Sequence, residues 1–467
     1  MPAEAAQFHH DAERLTHDLR HRSLIQKALG GYYVKRDEQK AKYTSWQMAR
    51  ASAAAAKYEA VNHLDTYLLE FTAKLEARGT KVFWAADGAE AAAYIASVAR
   101  EAEVKRIIKS KTMTGEEIHL GQALEKAGLE VVESDLGEFI VQLREEPPYH
   151  IVFPSMHLTR GEISETFEKM LGSAPADTPE ELTMIARDVM RMKYCQADMG
   201  ISGANFAVAE TGHISITENE GNARLSTTLP KVLVSIVGIE KVVPKLDDLA
   251  VLLPMLATAG AGQNMTCYNT LLGGPREPGE TDGPEEFHVV LLDNRRTALL
   301  ADAEQRDALH CIRCGACLNV CPIFKNIGGH SYGTTYQGPI GSVITPHLRG
   351  LQSWKHLSFS SSLCGACSEA CPVKIDLHHH LLQNRRNAIA QRPVWWEKPI
   401  FIGFAWFMRR PALYRMAAPM LRLGGPILHA IRGKFFDPAR LWTGTRDLPP
   451  APAQSFKEFW RARYAKR

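Results

Sequence analysis

The sequence predicts an α/β domain with a parallel sheet, between an N-terminal helical segment and a helical, cysteine-rich module that a basic tail follows. Three observations support this architecture. Short apolar runs alternate with helical patterns in the middle of the chain, seven of nine cysteines lie between Cys311 and Cys371, and basic residues concentrate after residue 384. Strands separated by helices imply parallel pairing with right-handed crossovers. We expect regions at 1–80, 81–293, 294–384 and 385–467.

The composition is that of an ordinary globular protein. The chain has 467 residues, of which 45% are hydrophobic and 23% charged, which excludes the disordered and collagen-like classes. Residues 1–10 have neither a basic region nor an apolar core, so they do not form a secretory signal. We therefore expect a cytoplasmic protein, in which clustered cysteines indicate metal ligation rather than disulfides.

Residues 1–80 are predicted to be helical, notably from Arg36 to Arg78, where no glycine or proline interrupts the pattern. From Lys81 the period changes to that of an α/β domain. We predict strands at Lys81–Ala85, Lys105–Lys109, Leu129–Glu133, His150–Phe153, Phe206–Glu210, His213–Thr217, Val232–Val237 and Phe287–Leu292. Helices are predicted at Gly88–Arg100, Glu116–Lys126, from Thr178 to Tyr194 and at Arg295–His310.

Three polar loops lie at the ends of predicted strands, where an α/β sheet would place a pocket. The loop Lys109–Thr114 could cradle an anion on backbone amides, with turn chemistry as the plainer alternative. The other two loops are Glu210–Gly212 and Glu218–Arg224. The sequence has no G-x-G-x-x-G or Walker-type loop, so a nucleotide cofactor has no support.

The cysteines form two runs of ferredoxin type. Cys311, Cys314, Cys317 and Cys321 make a C-x2-C-x2-C-x3-C-P pattern. A second run repeats it with Cys364, Cys367 and Cys371 before a proline, and with Ser361 in the first position. Three thiolates spaced two residues apart on a tight loop can each reach a different iron of a cubane, so we predict two 4Fe-4S clusters.

The cysteine before proline ligates the other cluster in two-cluster ferredoxins. The predicted ligands are Cys311, Cys314, Cys317 and Cys371 for cluster 1, and Cys321, Cys364 and Cys367 for cluster 2. The fourth ligand of cluster 2 stays open: Ser361 through oxygen, Cys195 or Cys267 from elsewhere in the fold, or no protein ligand. Structural zinc is the alternative for such spacing, but two repeated Cys-Pro runs favour cubanes.

Two neighbouring patterns concern the same module. The glycine-rich stretches Gly328–Gly333 and Gly338–Gly341 are predicted to be loops whose amides approach cluster sulfurs and tune their reduction potential. The histidines at 378–380 would point in different directions from a helix. We interpret them as a polar surface cluster rather than a metal site.

The tail, residues 385–467, has seventeen Lys or Arg against four Asp or Glu, which leaves the remainder of the chain acidic. We expect it to face an anionic partner. Its apolar run Pro399–Met408 is too short to span a bilayer, which needs about 20 residues. The run predicts either an interfacial helix at the inner face of the membrane or a face that docks on an acidic subunit. No nucleic-acid recognition motif accompanies it.

Taken together, the motifs resemble those of the lactate utilization protein B family, the iron–sulfur subunits of bacterial L-lactate dehydrogenase complexes, over almost the whole chain. The resemblance rests on Ala209–Gly212 with Ile216–Asn222 in the α/β part. In the cysteine-rich part it rests on Cys311–Cys317, Gly328–His330 and Ser362–Cys367.

The resemblance implies a LUD-type domain of the NagB/RpiA/CoA-transferase-like folds and the cluster assignment given above, including the gap at Ser361. It also implies partner subunits of a complex that oxidises L-lactate to pyruvate, and it carries over no catalytic residue. We expect an electron relay from a partner subunit towards a membrane acceptor such as quinone. The alternatives are a hydroxy-acid dehydratase with an open-iron cluster, electron transfer for another 2-hydroxy acid, and a scaffold that binds an anion near Ser110.

Overall fold

The computed structural model describes residues 2–431, 434, 437, 440–443, 452 and 454–464. The chain divides into one compact unit that runs to Ala388 and a second that begins at Ile389. The first unit contains the helical segment, the α/β domain and the cysteine-rich module. The region boundaries predicted within this unit stay predictions.

The N-terminal segment is helical, as expected. Its helices are α1 (Ala3–His17), α2 (Leu19–Lys40), α3 (Trp46–Asn62) and α4 (Leu64–Glu76). The predicted pattern from Arg36 to Arg78 is divided among three of these helices. Ser45 starts α3 because its side chain accepts a hydrogen bond from the Met48 amide at 3.3 Å, which is the usual action of an N-cap serine.

The α/β domain contains ten strands, numbered in chain order. They are β1 (Lys81–Ala85), β2 (Arg106–Lys109), β3 (Glu130–Glu133), β4 (Met199–Ser202), β5 (Phe206–Val208), β6 (His213–Glu218), β7 (Val232–Gly238), β8 (Val242–Val243), β9 (Tyr268–Leu272) and β10 (Glu286–Leu292). Six of them form a sheet in the order β1-β10-β7-β4-β2-β3, and every pair in it is parallel. The predicted fold class is thus confirmed.

The remaining four strands form a second, mixed sheet in the order β8-β5-β6-β9. The sequence patterns predicted β5 and β6 as strands but did not separate them from the parallel sheet. Strand β4 was missed because Gly200 and Ser202 interrupt its apolar pattern. A side chain at this position would come within 2.0 Å of the Ser226 carbonyl oxygen, so glycine permits the following helix to pack on the strand.

Helices lie between these strands. They are α5 (Gly88–Glu101), α6 (Met113–Glu117), α7 (Leu120–Lys126), α8 (Leu136–Leu143), α9 (Arg160–Leu171), α10 (Pro179–Gln196), α11 (Asn222–Thr228) and α12 (Asp248–Ala261). The predicted helix Glu116–Lys126 is broken at His119, whose φ is 53°. The predicted strand His150–Phe153 is wrong. The buried His150 ring accepts hydrogen bonds from the Val152 and Phe153 amides and folds this segment into a turn.

The cysteine-rich module is helical. It contains α13 (Arg296–Leu300), α14 (Ala316–Val320), α15 (Pro322–Ile327), α16 (Gly338–Arg349), α17 (Leu351–Phe359), α18 (Ala366–Ala370) and α19 (Leu377–Gln391), with 3-10 turns at Arg306–His310 and His330–Tyr332. The single helix predicted at Arg295–His310 is therefore wrong. The chain turns after Leu300 and places the side chain of Gln305 in the core, where it donates to Asn384.

The second unit contains α20 (Glu397–Met408), α21 (Pro411–Ala430), α22 (Arg440–Thr443) and α23 (Phe456–Tyr464). Helix α20 leaves large apolar side chains exposed, among them Phe401, Phe404 and Trp406. None of the helices in the described part of the chain combines the length and apolarity that crossing a bilayer requires.

Candidate iron–sulfur site

The two cysteine runs adopt the same backbone conformation. In the first run, Arg313 and Gly315 flank Cys314 with φ values of 58° and 77°. In the second, Leu363 and Gly365 take the equivalent places beside Cys364 with φ values of 54° and 81°. Positive φ is uncommon for residues other than glycine. Two such residues at matching positions therefore indicate a loop shape that both runs require.

Each loop continues into a five-residue helix and then into a Cys-Pro dipeptide. Helix α14 leads from the first loop to Cys321, and α18 leads from the second to Cys371. The two short helices pack against each other. This pairing carries the last cysteine of each run towards the loop of the other run.

Four thiols consequently line one small cavity. Cys311, Cys314 and Cys317 from the first run meet Cys371 from the second, and Ile340 and Ile375 contribute to an apolar wall. Burial raises the pKa of the Cys371 thiol to about 12, and it raises the pKa of Cys314 and Cys317 as well, with further increases from the neighbouring sulfurs. Such thiols lose their protons readily only when a cation replaces them, as iron does.

A second group consists of Cys321, Cys364 and Cys367. Burial and, to a smaller extent, the charges of Cys321 and Cys364 raise the pKa of Cys367 to about 11, so both of these sulfurs lie within electrostatic range of Cys367. Cys364 is exposed and Cys321 is half-buried. The Ser361 hydroxyl, one candidate for a further ligand, accepts a hydrogen bond from the Leu363 amide at 3.1 Å.

Backbone amides donate hydrogen bonds to several of these sulfurs. The Arg313 amide reaches Cys311 Sγ and the Ile375 amide reaches Cys371 Sγ, each at 3.4 Å. The Ile340 amide lies close enough to Cys317 to lower the pKa of this thiol, against the larger increase caused by burial. Such hydrogen bonds raise the reduction potential of a cluster because they stabilise the added negative charge. The four sulfurs and the amide groups beside them therefore fit the binding of a cubane in this cavity.

Buried cations lie within electrostatic range of Cys311. Lys57 and Lys241 lie close enough to Cys311 for a thiolate there to raise the pKa of both ammonium groups, although burial lowers these pKa values to about 7 and about 8. Arg313 is buried beside them. The charge of Glu240 raises the pKa of all three groups, but this carboxylate is a single negative charge beside three cations. An anionic cluster would supply the missing negative charge.

A fourth cation, Arg50 of α3, holds the segment that contains Cys371. Its guanidinium donates to the carbonyl oxygens of Cys371 at 2.9 Å and Ser368 at 3.1 Å. The N-terminal segment therefore fixes the position of a predicted ligand, a role that the sequence did not reveal. Lone basic residues in a helical pattern look like surface residues, so no sequence signal could have identified Arg50 or Lys57.

A buried ion-pair network joins the α/β domain to the cysteine-rich module. Arg296 makes a bidentate pair with Glu117 at 2.9 and 2.8 Å and a further pair with Glu240 at 2.5 Å. The Tyr336 hydroxyl donates to Glu117 at 2.6 Å. Bidentate Arg–carboxylate pairs have strict geometry, so this network fixes the register between the two parts.

Two domain families match the chain in these two parts. The LUD domain matches residues 68–292 and the 4Fe-4S dicluster domain matches residues 307–375. A lactate utilization protein B of Oceanobacillus iheyensis is 41% identical over 449 residues, which cover 95% of this chain and 93% of that protein. The chain belongs to the lactate utilization protein B family.

Other members are similarly close. The lactate utilization protein B of Anoxybacillus flavithermus is 39% identical with 99% of each chain covered, and that of Shouchella clausii is 42% identical with 90% and 89% covered. A DUF162 family crystal structure from Deinococcus radiodurans aligns with 49% of this chain and 98% of its own at 14% identity, with a TM-score of 0.28, too low for any inference. The resemblance drawn from the motifs is confirmed, and this family member has an iron–sulfur module.

The predicted anion-binding loop of this family member has its charges paired. Lys109 is fully buried and its ammonium contacts Glu133 at 2.7 Å and Glu116 at 3.0 Å. The Thr112 hydroxyl accepts the Gly115 amide as an N-cap. Lys111 donates to the Val152 carbonyl oxygen at 3.2 Å. The turn-chemistry interpretation therefore describes Lys109–Thr114 better than an open anion cradle does.

The other two polar loops also have local partners. Glu218 accepts hydrogen bonds from the Ala223 and Arg224 amides and so begins α11. The Glu210 carboxylate accepts a hydrogen bond from the Leu246 amide. The backbone carbonyl oxygen of Glu210 accepts another from Lys74 in the N-terminal segment.

The histidine triplet behaves as its helical position predicts. His379 is exposed and His378 half-buried, whereas His380 is buried and lies 2.7 Å from Asp307. Because the three side chains leave the helix in different directions, no two of these rings can bind the same metal ion. The surface interpretation holds for His378 and His379 and is wrong for His380, which belongs to the packed interior.

The two glycine-rich stretches differ from the loops expected. Gly338–Gly341 forms the first turn of α16, and the Ile340 amide from this turn lies close enough to Cys317 to lower the pKa of its thiol. Gly328 and Gly329 instead lie against Tyr149 of the α/β domain. Tyr332, which belongs to Gly328–Gly333, lies within electrostatic range of Cys317 and Cys321.

Proposed function

We propose that this chain is the iron–sulfur electron-transfer subunit of a multi-subunit complex that oxidises L-lactate to pyruvate. It would receive electrons from a partner subunit and relay them towards a membrane acceptor such as quinone. The observation that supports this most directly is the exchange of the Cys-Pro cysteines between two loops of identical backbone conformation. The relatives' name, lactate utilization protein B, supplies the metabolic context.

We assign Cys311, Cys314, Cys317 and Cys371 to one 4Fe-4S cluster. Cys321, Cys364 and Cys367 are assigned to a second cluster, whose fourth ligand we leave open between Ser361, Cys195, Cys267 and a non-protein ligand. Cys195 and Cys267 are both exposed.

A bound 4Fe-4S cluster accepts and returns one electron at a time. The protein residues determine how easily this occurs. Ile340, Ile375 and their neighbours keep water from the sulfurs of Cys314 and Cys317, and backbone amides donate hydrogen bonds to the sulfurs of Cys311 and Cys371. The buried Lys57 and Lys241 add positive charge beside Cys311, which favours the more negative, reduced state.

The second unit supports contact with an anionic surface. Helix α20 exposes Phe401, Phe404 and Trp406, and it is followed directly by Arg409 and Arg410. Aromatic side chains that enter the headgroup region beside arginines are typical of interfacial helices. We propose that this unit places the chain at the inner face of the membrane, near its acceptor.

Iron, sulfide and EPR measurements on anaerobically purified protein test the assignment. Two cubanes predict about seven or eight iron atoms with matching sulfide, and two EPR signals on dithionite reduction. Cys311→Ser should remove one signal, Cys364→Ser should perturb the other, and the matched control Cys195→Ser should change neither if Cys195 is not a ligand. Protein that contains zinc without acid-labile sulfide would overturn the proposal.

The exposed position of Cys364 favours one rival function, a hydroxy-acid dehydratase in which an incompletely ligated iron acts as a Lewis acid. A dehydratase needs no electron acceptor. Dehydration of a 2-hydroxy acid by the purified chain alone, without a redox dye, would favour this rival over the relay.

A further inference from the structure

The motif Gly328-Gly329-His330 is part of the resemblance to the family, yet its glycines lie against the α/β domain. A Cβ atom on Gly329 would come within 1.7 Å of the Tyr149 carbonyl oxygen, and one on Gly328 within 2.0 Å of the Tyr149 hydroxyl. Gly328 also has a φ of 69°. Both positions therefore require glycine, and the consequence is that His330 approaches the α/β domain closely.

His330 meets two further side chains there. Glu146 and His157 both lie in the loop between α8 and α9, at opposite ends of it, and His330 comes from the cysteine-rich module. One donor atom from each lies within 4.8 Å of the other two. His157 Nε2 is 2.9 Å from Glu146 Oε2, and the two imidazole rings have centroids 4.8 Å apart.

We propose that Glu146, His157 and His330 bind a divalent transition metal ion of the Zn²⁺ type, at a site separate from the cysteines. Two imidazole nitrogens and one carboxylate oxygen are a donor set that such ions favour. A metal ion would take the place of the proton that His157 Nε2 and Glu146 Oε2 share at 2.9 Å.

The surrounding residues hold this donor set in position. Arg144 binds the other carboxylate oxygen of Glu146 at 2.8 Å. His330 Nε2 contacts the Pro147 carbonyl oxygen at 2.8 Å, which is a typical partner for the second nitrogen of a metal-bound histidine. Tyr149 stacks on the His157 ring at 4.7 Å. These contacts fix one orientation for each ligand before a metal arrives.

The site opens on a cavity of about 730 Å³ between the α/β domain and the cysteine-rich module. Glu146 and His330 lie in its wall, as do Arg349 and Gln337. The side-chain oxygen of Gln337 is buried in this wall and finds no hydrogen-bond partner among the residues that the structure describes. Three protein ligands with a remaining position towards a cavity are typical of metal sites that bind an exogenous oxygen ligand.

The test uses the anaerobically purified holoprotein, treated with a chelating resin and dialysed against Zn²⁺. We expect one Zn²⁺ per chain by mass spectrometry, with an X-ray absorption spectrum that shows nitrogen and oxygen neighbours at about 2.0–2.2 Å. Glu146→Gln and His330→Ala should each weaken binding at least about tenfold, by analogy with the loss caused even by indirect ligand partners. Iron and sulfide content serves as the check on folding.

The exposed His379 provides the matched control, because His379→Ala removes an imidazole from the histidine triplet and should leave Zn²⁺ binding unchanged. Three outcomes would overturn the proposal. They are no Zn²⁺ above the level of a buffer blank, binding that survives both ligand substitutions, and zinc–sulfur neighbours near about 2.3 Å, which would place the ion at cysteines. The spectrum of the unsubstituted protein decides the matter even if a variant fails to fold.

Discussion

Replacing Glu240 by glutamine should destabilise the fold more than almost any other single charge removal. This side chain is 1% exposed, and both carboxylate oxygens are in use. One oxygen contacts Arg296 at 2.5 Å and the other contacts Arg313 at 3.1 Å. Glutamine keeps the shape but loses the charge, so it removes the carboxylate paired with Arg313 and leaves Arg296 with Glu117 alone.

The pKa of Glu240 gives the magnitude. Burial alone would raise this pKa, but Arg296 and Arg313 outweigh burial and hold it at about 2, compared with an ordinary value of 4.5. At about 1.4 kcal/mol per pKa unit, the ionised carboxylate contributes roughly 3 kcal/mol to stability. The range measured when one partner of a buried pair is removed is about 3–5 kcal/mol. Because the folded-state pKa is depressed, the contribution is complete above pH 4.5 and is lost as pH falls towards 2.

Urea unfolding of the anaerobic holoprotein at pH 6, followed by circular dichroism and by cluster absorbance, measures this loss. The matched control is Glu286→Gln, which removes a carboxylate that is 47% exposed and pairs with Lys81 at 2.7 Å. Exposed pairs contribute about 0–1 kcal/mol. If the two substitutions shift the unfolding free energy by amounts within about 1 kcal/mol of each other, the assigned role of Glu240 is refuted.

Two further predictions concern electron transfer and docking. Lys57→Met should lower the midpoint potential of the cluster at Cys311 by about 50–90 mV at pH 6, for charges about 8–15 Å apart at an effective dielectric near 20. Because burial lowers the pKa of Lys57 to about 7, the difference should shrink above that pH, whereas the surface variant Lys81→Met should show none in an EPR-monitored titration. Phe404→Glu should reduce several-fold the fraction of protein that sediments with anionic vesicles. The control is Leu69→Glu in α4, which replaces a similarly exposed apolar side chain and should leave this fraction unchanged. Equal losses in the two variants would contradict an interfacial role for α20.

Local patterns predicted those parts of the molecule that local interactions determine. Strand β1 occupies the predicted residues Lys81–Ala85, and the cysteine spacing correctly anticipated two loops of the same kind. The second sheet was not predictable in the same way. Strand β8 has two residues, Val242 and Val243, and it exists only because β5 lies beside it. Strand pairing of this kind depends on tertiary structure, so the periodicity of the sequence does not predict it.

Buried charge escaped prediction for a related reason. Lys57 lies in an alanine-rich helical pattern, where a lysine ordinarily marks the solvent face. Its ammonium group is buried because it donates to the carbonyl oxygens of Glu240 at 2.6 Å and Val242 at 3.1 Å. Those acceptors lie in the turn before β8 and in β8 itself, almost two hundred residues later in the chain. Only the folded chain shows that these residues contribute to the environment of Cys311.

The partner of the glycines in Gly328-Gly329-His330 could not be predicted either, because it too comes from a distant part of the chain. A glycine pair signals close approach but does not say what approaches. We expected cluster sulfurs, and the structure places Tyr149 there instead. Two of the contacts between the α/β domain and the cysteine-rich module thus bear on function: the charges around Glu240 beside Cys311, and the histidines and carboxylate beside the cavity. A domain without an assigned catalytic residue can therefore influence the electron-transfer module electrostatically at the first contact and by ligand binding at the second.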